Sequence, residues 1–231
     1  MTQSSASSFK KCNRKQSDFN ECLTSAVEDA IRQLTQPIKE VNLPNLEPLE
    51  VPSLIIGAGH GAVAFSQNYK NLQVSGFSKT ECSKFDMNFE SKVVTMECQA
   101  PQIRMEFQYE INGKILLLPI YGKGPGTITL DNIKEVLTFN LEEYEKKNKK
   151  FFKVVGSKLV MEPGLIHFQL DNLFDGDKVL GENILKVLNE NWKEVYGDVQ
   201  SSYEHAFGQI FTSIFSNLLA KVPVSELFGE E

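Results

Sequence analysis

Two glycine-rich stretches have residue types and spacing that phosphate chemistry uses. Leu54-Ile55-Ile56-Gly57-Ala58-Gly59-His60-Gly61-Ala62 fits G-x-G-x-x-[G/A] behind an apolar run, and Glu81 lies near the spacing of a ribose-binding carboxylate. A dinucleotide site would need a following helix of about ten residues or more, its N-terminus on the pyrophosphate. Val63 to Leu72 has neither that length nor a 3.6-residue period, so the glycines are expected to mark a flexible strand start. Gly122-Lys123-Gly124-Pro125-Gly126-Thr127 resembles a phosphate cradle but departs from G-x-x-x-x-G-K-[ST]. Pro125 removes a backbone donor and no helical pattern follows, which predicts a loop between strands.

His60, His167 and His205 stand alone, and His167 alternates with Ile166 and Phe168 on what reads as the polar face of a strand. The sequence has no Gly-x-Ser-x-Gly, no His-Glu-x-x-His, no Cys-x-x-Cys and no His at metal spacing from a Cys. Neither a metal site nor a cofactor is expected, and an enzyme would have to assemble its site from distant residues. Four cysteines allow three pairings, which spacing alone does not separate. A Cys12–Cys22 bridge would pin a loose N-terminus to the first turn of a helix, as a secreted protein could use; the other reading is two reduced thiols. With a hairpin turning at Ser91-Lys92, Cys82 and Cys98 fall about three residues out of register, too far for an easy bridge, which leaves open whether they are free or bonded.

The elements that must carry these residues follow from periodicity. Leu23, Ala26, Val27, Ala30, Ile31 and Leu34 recur at helical spacing, with Asp18 and Glu21 placed as a capping box, which predicts an amphipathic helix over Asp18 to Gln36. Pro37, Pro44, Pro48 and Pro52 then mark an extended connector. Period-two alternation follows in Phe85-Met87-Phe89, Ile103-Met105-Phe107-Tyr109, Leu137-Phe139-Leu141 and Ile166-Phe168-Leu170, a long antiparallel meander without an internal linker. Asn112-Gly113 is the dipeptide a type I′ hairpin prefers and predicts a turn there. From Asp177 to Lys221 apolar residues return every three or four positions, predicting one long helix of roughly 65 Å. A compact chain of this size is only about 45 Å across, so either the helix kinks, at Gly197 or Gly208, or the molecule is elongated with a curved sheet along the helix.

Composition excludes whole classes of partner. The 231 residues are 41% hydrophobic, enough for a core, and 24 basic against 30 acidic side chains leave a net charge of -6, which argues against nucleic acid. No run reaches the roughly 18 apolar residues of a membrane span, and Met1 to Lys11 is serine-rich without a secretory h-region. Lys146, Lys147, Lys149, Lys150 and Lys153 surround Phe151-Phe152, a cluster read as a solvated turn because five charges give too little area for stable membrane anchoring.

Several segments resemble one family. Cys12…Cys22-Leu23, Leu46-Glu47-Pro48-Leu49, Val74-Ser75-Gly76-Phe77, Gly113 through Gly124, Asn172-Leu173-Phe174-Asp175-Gly176-Asp177 and Leu188-Asn189-Glu190-Asn191-Trp192-Lys193-Glu194-Val195 are similar in order and spacing to the insect takeout and juvenile hormone-binding protein family, nearer the takeout branch. The resemblance implies an α+β fold: an elongated, highly curved antiparallel sheet wrapped around one long C-terminal helix and enclosing a hydrophobic tunnel. It also implies a secreted protein with a Cys12–Cys22 disulfide and a signal peptide removed by processing, Met1 being an added start. Residues 1–11 are then a disordered tail and 12–228 a single ligand-binding domain. Cys82 and Cys98 do not match the second disulfide of the hormone carriers, which sets this chain apart from them.

The expected function is extracellular carriage of a hydrophobic ligand, either a juvenile hormone-like terpenoid or a longer isoprenoid, quinone or fatty acyl chain. Its expected wall comprises Phe85, Met87, Phe89, Met96, Ile103, Met105 and Phe107 from strands, with Phe207, Phe211, Ile214 and Phe215 from the helix. Methionines suit a loosely specified guest. The alternative is an interaction protein whose apolar groove receives a receptor or partner peptide.

Overall fold

The computed structural model describes residues 9–229; most of the expected tail, residues 1–8, lies outside them. Its spine is a hairpin of two very long strands, β4 (Val93–Ile115) and β5 (Leu118–Lys146), paired almost without interruption from Val93–Asn140 to Ile115–Leu118. At about 3.3 Å per residue these strands exceed the width of a compact chain, so the sheet must twist and curl. The outer edge of β4 carries β3 (Glu81–Asn88) near its start and β2 (Gln67–Ser75) further on, and β1 (Leu49–Ile56) extends β2. The outer edge of β5 carries β7 (Leu165–Leu170), then β6 (Lys149–Glu162). Within the concave face, α1 (Phe19–Gln33) packs on β3, α2 (Lys178–Glu190) on β7 and α3 (Trp192–Leu219) along β6, with the short α4 (Val224–Phe228) beside β6.

The inward face changes phase once along the hairpin. On β4 the inward series is even-numbered through Ala100 and odd-numbered from Ile103; on β5 it is even through Leu130 and odd from Ile133. The switch falls between the pairs Gln102–Asp131 and Ala100–Ile133, where Pro101 lacks an N–H and Asn132 has φ 49°. It divides the molecule into two ends, one under β1, β2 and β7, the other under β3 and β6.

Several expectations need correction. The hairpin does not turn at Asn112-Gly113, which pair with Tyr121 and Ile120; it turns at Leu116-Leu117, with φ 48° and 69°. Tertiary pairing overrides the local preference: Leu116 donates to Ala62 O at 2.8 Å, and the Phe65 ring fills the space where a Cβ on Gly113 would sit, 2.6 Å away. The Gly122 to Thr127 run is no loop but part of β5, its glycines admitting Asp171 O beside Gly124 and the Phe107 ring beside Gly126.

Cys82 and Cys98 are not free: they face each other across β3 and β4 and form a disulfide, as do Cys12 and Cys22. The turn takes four residues, 89–92, instead of two, so the hairpin closes at Asn88–Val93, and a bulge at Ser83 removes the third residue of offset. The C-terminal helix is broken, at neither Gly197 nor Gly208 but at Asn191 (φ -111°, ψ 24°), whose Nδ2 donates to Val187 O at 2.7 Å. The Asp18 side chain makes no cap, so the capping box does not form, and α1 ends at Gln33.

The glycine motif follows β1 instead of opening a strand, and β2, not a helix, comes next. Its backbone does bind an anion, from the protein itself. His60, Gly61 and Val63 donate their N–H groups to the Asp198 carboxylate of α3 at 2.8–3.1 Å, and a Cβ on Gly59 would collide with that carboxylate. The expected solvated turn is present at Lys147-Asn148, with Lys149, Lys150 and Lys153 paired to Glu226, Glu143 and Glu142. Phe151 and Phe152 are buried, so the cluster offers no aromatic surface. No helix among the described residues is long and apolar enough to cross a membrane.

Val63 above all, with Gly61 and His60, holds the Asp198 carboxyl below its ordinary range. The native state therefore keeps this group ionised to lower pH than the unfolded chain, and its contribution is complete above the usual carboxylate pKa and lost as pH falls through the depressed native value. Asp198→Ala is expected to lower the thermal midpoint near pH 7 by roughly 2–4 °C. Calorimetry should show the gap to wild type closing on acidification.

Candidate functional site

The end of the molecule under β3 and β6 is not filled by its own side chains. There the apolar stripe of α1 and the C-terminal half of α3 stand apart across the concave sheet and enclose a cavity of about 360 Å³. Leu23, Ala26, Val27, Ala30 and Ile31 line it from α1, and Phe211, Ile214, Phe215 and Leu218 from α3. Phe85 and Met96 contribute from β3 and β4, Leu137 and Phe139 from β5 and Leu159 from β6. Phe139 and Phe215 stack at 4.7 Å between centroids, fixing part of the wall.

Five of the eleven wall residues expected from sequence meet here: Phe85, Met96, Phe211, Ile214 and Phe215. Ile103, Met105 and Phe207 lie beyond the phase switch, where, again with Phe211, they line a void of only about 30 Å³. Phe107 lines a third, of about 40 Å³. Met87 is buried but lines none of the three. Phe89 lies just past β3, its ring 5.4 Å from Phe228 and 5.7 Å from Phe19, under the Arg14 guanidinium.

The three spaces lie in series, because neighbours share wall residues. Gln67, Ile128, Phe168 and Val195 separate the two small voids. Phe77, Glu135 and Phe211 stand between the large cavity and the first void, with the two rings edge to face at 6.0 Å. Behind this waist is a polar knot: the Tyr69 and Tyr203 hydroxyls lie 2.5 Å apart and 2.5 and 2.9 Å from Gln67 Oε1, so their two protons are shared among three contacts, one hydroxyl donating to the other or to the amide oxygen. Burial holds both phenols above their ordinary pKa, so they remain neutral donors.

At the outer end, Phe9, Lys10, Lys11 and Cys12 lie over the cavity together with Glu226, Leu227 and Phe228. The Cys12–Cys22 bridge fastens this segment to α1, and Arg14 N–H donates to Phe228 O at 2.7 Å, joining it to α4. Lys10, Lys11 and Glu226 are exposed, so these three charged members of the wall are at the surface.

Glu135 is the residue that sequence reasoning missed. It occupies the inward row of β5 between Ile133 and Leu137, and among the described residues it has no hydrogen-bond or ion-pair partner. It is half-buried and lines both the large cavity and the first small void. Its signal was available: extending the Leu137-Phe139-Leu141 alternation upstream places a carboxylate at an inward position. Burial raises its pKa from 4.5 to about 7.

A raised carboxyl pKa means that the native state binds the proton more tightly than the unfolded chain, so stability falls as pH rises between the two values. Wild type should therefore lose up to about 3 kcal/mol relative to Glu135→Gln between roughly pH 5 and pH 8. Urea denaturation at both pH values measures it; parallel pH profiles would contradict the buried carboxyl.

With this geometry in hand, known proteins give a consistent comparison. Residues 2–229 match the family model described as haemolymph juvenile hormone binding protein. The chain is 25% identical to the circadian clock-controlled protein daywake of Drosophila yakuba, over 97% of this chain and 88% of the fly protein. It is also 25% identical to daywake of Drosophila melanogaster, covering 91% and 84% respectively. The crystal structure of Epiphyas postvittana Takeout 1 has the same fold, with a TM-score of 0.84 at 21% identity over 96% of this chain and all of that one. A curved antiparallel sheet, a long C-terminal helical segment and a family match over nearly the whole length agree: the chain belongs to the haemolymph juvenile hormone binding protein family.

Proposed function

We propose that this protein is an extracellular carrier that holds a hydrophobic molecule in the cavity between α1, α3 and the sheet. The observation that carries this reading is an apolar space of about 360 Å³ left open in a chain with an otherwise extensive core. Protein interiors are close-packed, and an apolar void of this size forfeits contacts unless something fills it. A guest hiding 400 Å² of apolar surface there gains about 10 kcal/mol gross, before ordering costs, so retention requires no reaction and no cofactor. Two disulfides favour an oxidising, extracellular setting.

In this reading residues 12–228 act as one ligand-binding domain. Phe85, Met96, Phe211, Ile214 and Phe215 contact the guest, together with the α1 stripe. Ile103, Met105, Phe107 and Phe207 contact it only if a longer chain displaces the Phe77–Phe211 pair and reaches the inner voids. A sesquiterpenoid would stay within the large cavity, whereas a long isoprenoid or fatty acyl chain would pass the waist. Competition between guests of the two lengths distinguishes them.

Native mass spectrometry with organic extraction should find a near-stoichiometric apolar adduct, or uptake of a fluorescent lipid probe at micromolar concentration. A protein that is empty and takes up no probe would end the carrier reading. Ala30→Trp projects an indole into the cavity from α1 and is expected to weaken probe binding roughly tenfold or more while the fold is retained. Fluorescence titration measures the loss, with circular dichroism as the check on folding.

A further inference from the structure

Leaving a carboxyl unpartnered in an apolar wall costs free energy that nothing in this protein returns. Glu135 sits at the inner end of the large cavity, in the waist formed with Phe77 and Phe211, opposite the exposed end that carries Lys10, Lys11 and Glu226. Among the described residues no Lys, Arg or His makes an ion pair with it. From α3, Tyr196 faces it with the hydroxyl already donated to Met161 O at 3.1 Å, and beyond Tyr196 the Glu204 carboxylate accepts the Met161 N–H at 2.9 Å. Across the strands its partners are Cys98, held in the disulfide, and Met161.

We propose that Glu135 is the polar contact for the guest, so that the cavity takes a long apolar chain whose inner end carries a neutral hydrogen-bonding group, a hydroxyl or carbonyl, and rejects a carboxylate there. This deepens the carrier reading and rests on it. When protonated, Glu135 donates to a carbonyl or hydroxyl oxygen; when ionised, it accepts from a hydroxyl. A second carboxylate in the same low-dielectric pocket meets a like charge, and the two cannot both stay ionised. Because burial lifts the Glu135 pKa toward neutrality, the rejection strengthens as pH rises past that point.

The test is displacement of a bound fluorescent lipid probe by tetradecanol, methyl tetradecanoate and tetradecanoic acid, at about pH 6 and pH 8, from wild type, Glu135→Gln and Glu135→Leu. In wild type near pH 8 the alcohol should compete about tenfold or more better than the acid, and better than the ester, which has no proton to give the ionised carboxylate; both gaps should be smaller at the lower pH. In Glu135→Gln the gap should shrink several-fold, and the pH dependence that remains is that of the acid's own carboxyl. Glu135→Leu should bind the alcohol more weakly than wild type does, whatever its own stability. An acid that competes as well as the alcohol in wild type, or a gap unchanged in Glu135→Gln, overturns the role of Glu135 while leaving the carrier reading intact. Acid binding that depends on Lys10 and Lys11 instead would show the head at the exposed end and likewise overturn it. If no chain displaces the probe from any variant, the carrier reading falls and the proposal with it.

Discussion

The β4–β5 hairpin is the constraint on which everything else depends. Its two strands stay in register across both ends of the molecule, and every other strand pairs with one of them except β1, which is held through β2. Such length makes curling unavoidable, because each pair of twisted strands rotates relative to its neighbour and the rotation accumulates. A curled sheet has a concave face that one helix cannot fill. At the β7 end, the polar knot and the start of α3 bring the walls together. At the β6 end, α1 and α3 face each other over the concavity without meeting, and the cavity is what remains.

The phase switch at Pro101 and Asn132 explains the distribution of apolar side chains. One strand with unbroken alternation would place Met96 and Phe107 on opposite faces of the sheet, since their numbers differ in parity. With the switch both point inward, at opposite ends of the molecule. The same residue parity that would mark a register error in a flat sheet is here the means by which a long hairpin keeps its apolar side on the inside of a bend.

How much of this was legible in the sequence depended on the range of the interaction concerned. Period-two and 3.6-residue patterns carried the strands, α1 and the C-terminal helical segment, because burial of one face is written locally in residue type. Asn112-Gly113 misled because its preference for a turn is small against the pairing of Leu116 with Ala62 and the packing of Phe65, which lie far away in sequence. The Cys82–Cys98 pair was obscured by a turn two residues longer than expected plus one bulge, neither of which has a composition signal. For the wall, apolar type identified inward residues but not which end they occupy. That is why Ile103, Met105, Phe107 and Phe207 were grouped with residues from the other side of the waist. Glu135 escaped because attention went to the apolar members of its row.

The way α3 is attached to the sheet has a mechanical consequence. Among the described residues, its side-chain hydrogen bonds to the sheet and the flanking loops come from Tyr196, Asp198, Gln200, Tyr203 and Glu204, with Asn217 to Asn42 O as the one bond further along. The helix is thus a beam clamped at its start and tied once more at Asn217, the span between lying over the cavity and resting on apolar contacts alone. Apolar contacts have no preferred direction and can slide, whereas the clamped bonds have fixed geometry. Bending of that span would open or narrow the space beneath it without breaking a directional bond in the clamp, because the only contacts it slides over have no fixed geometry.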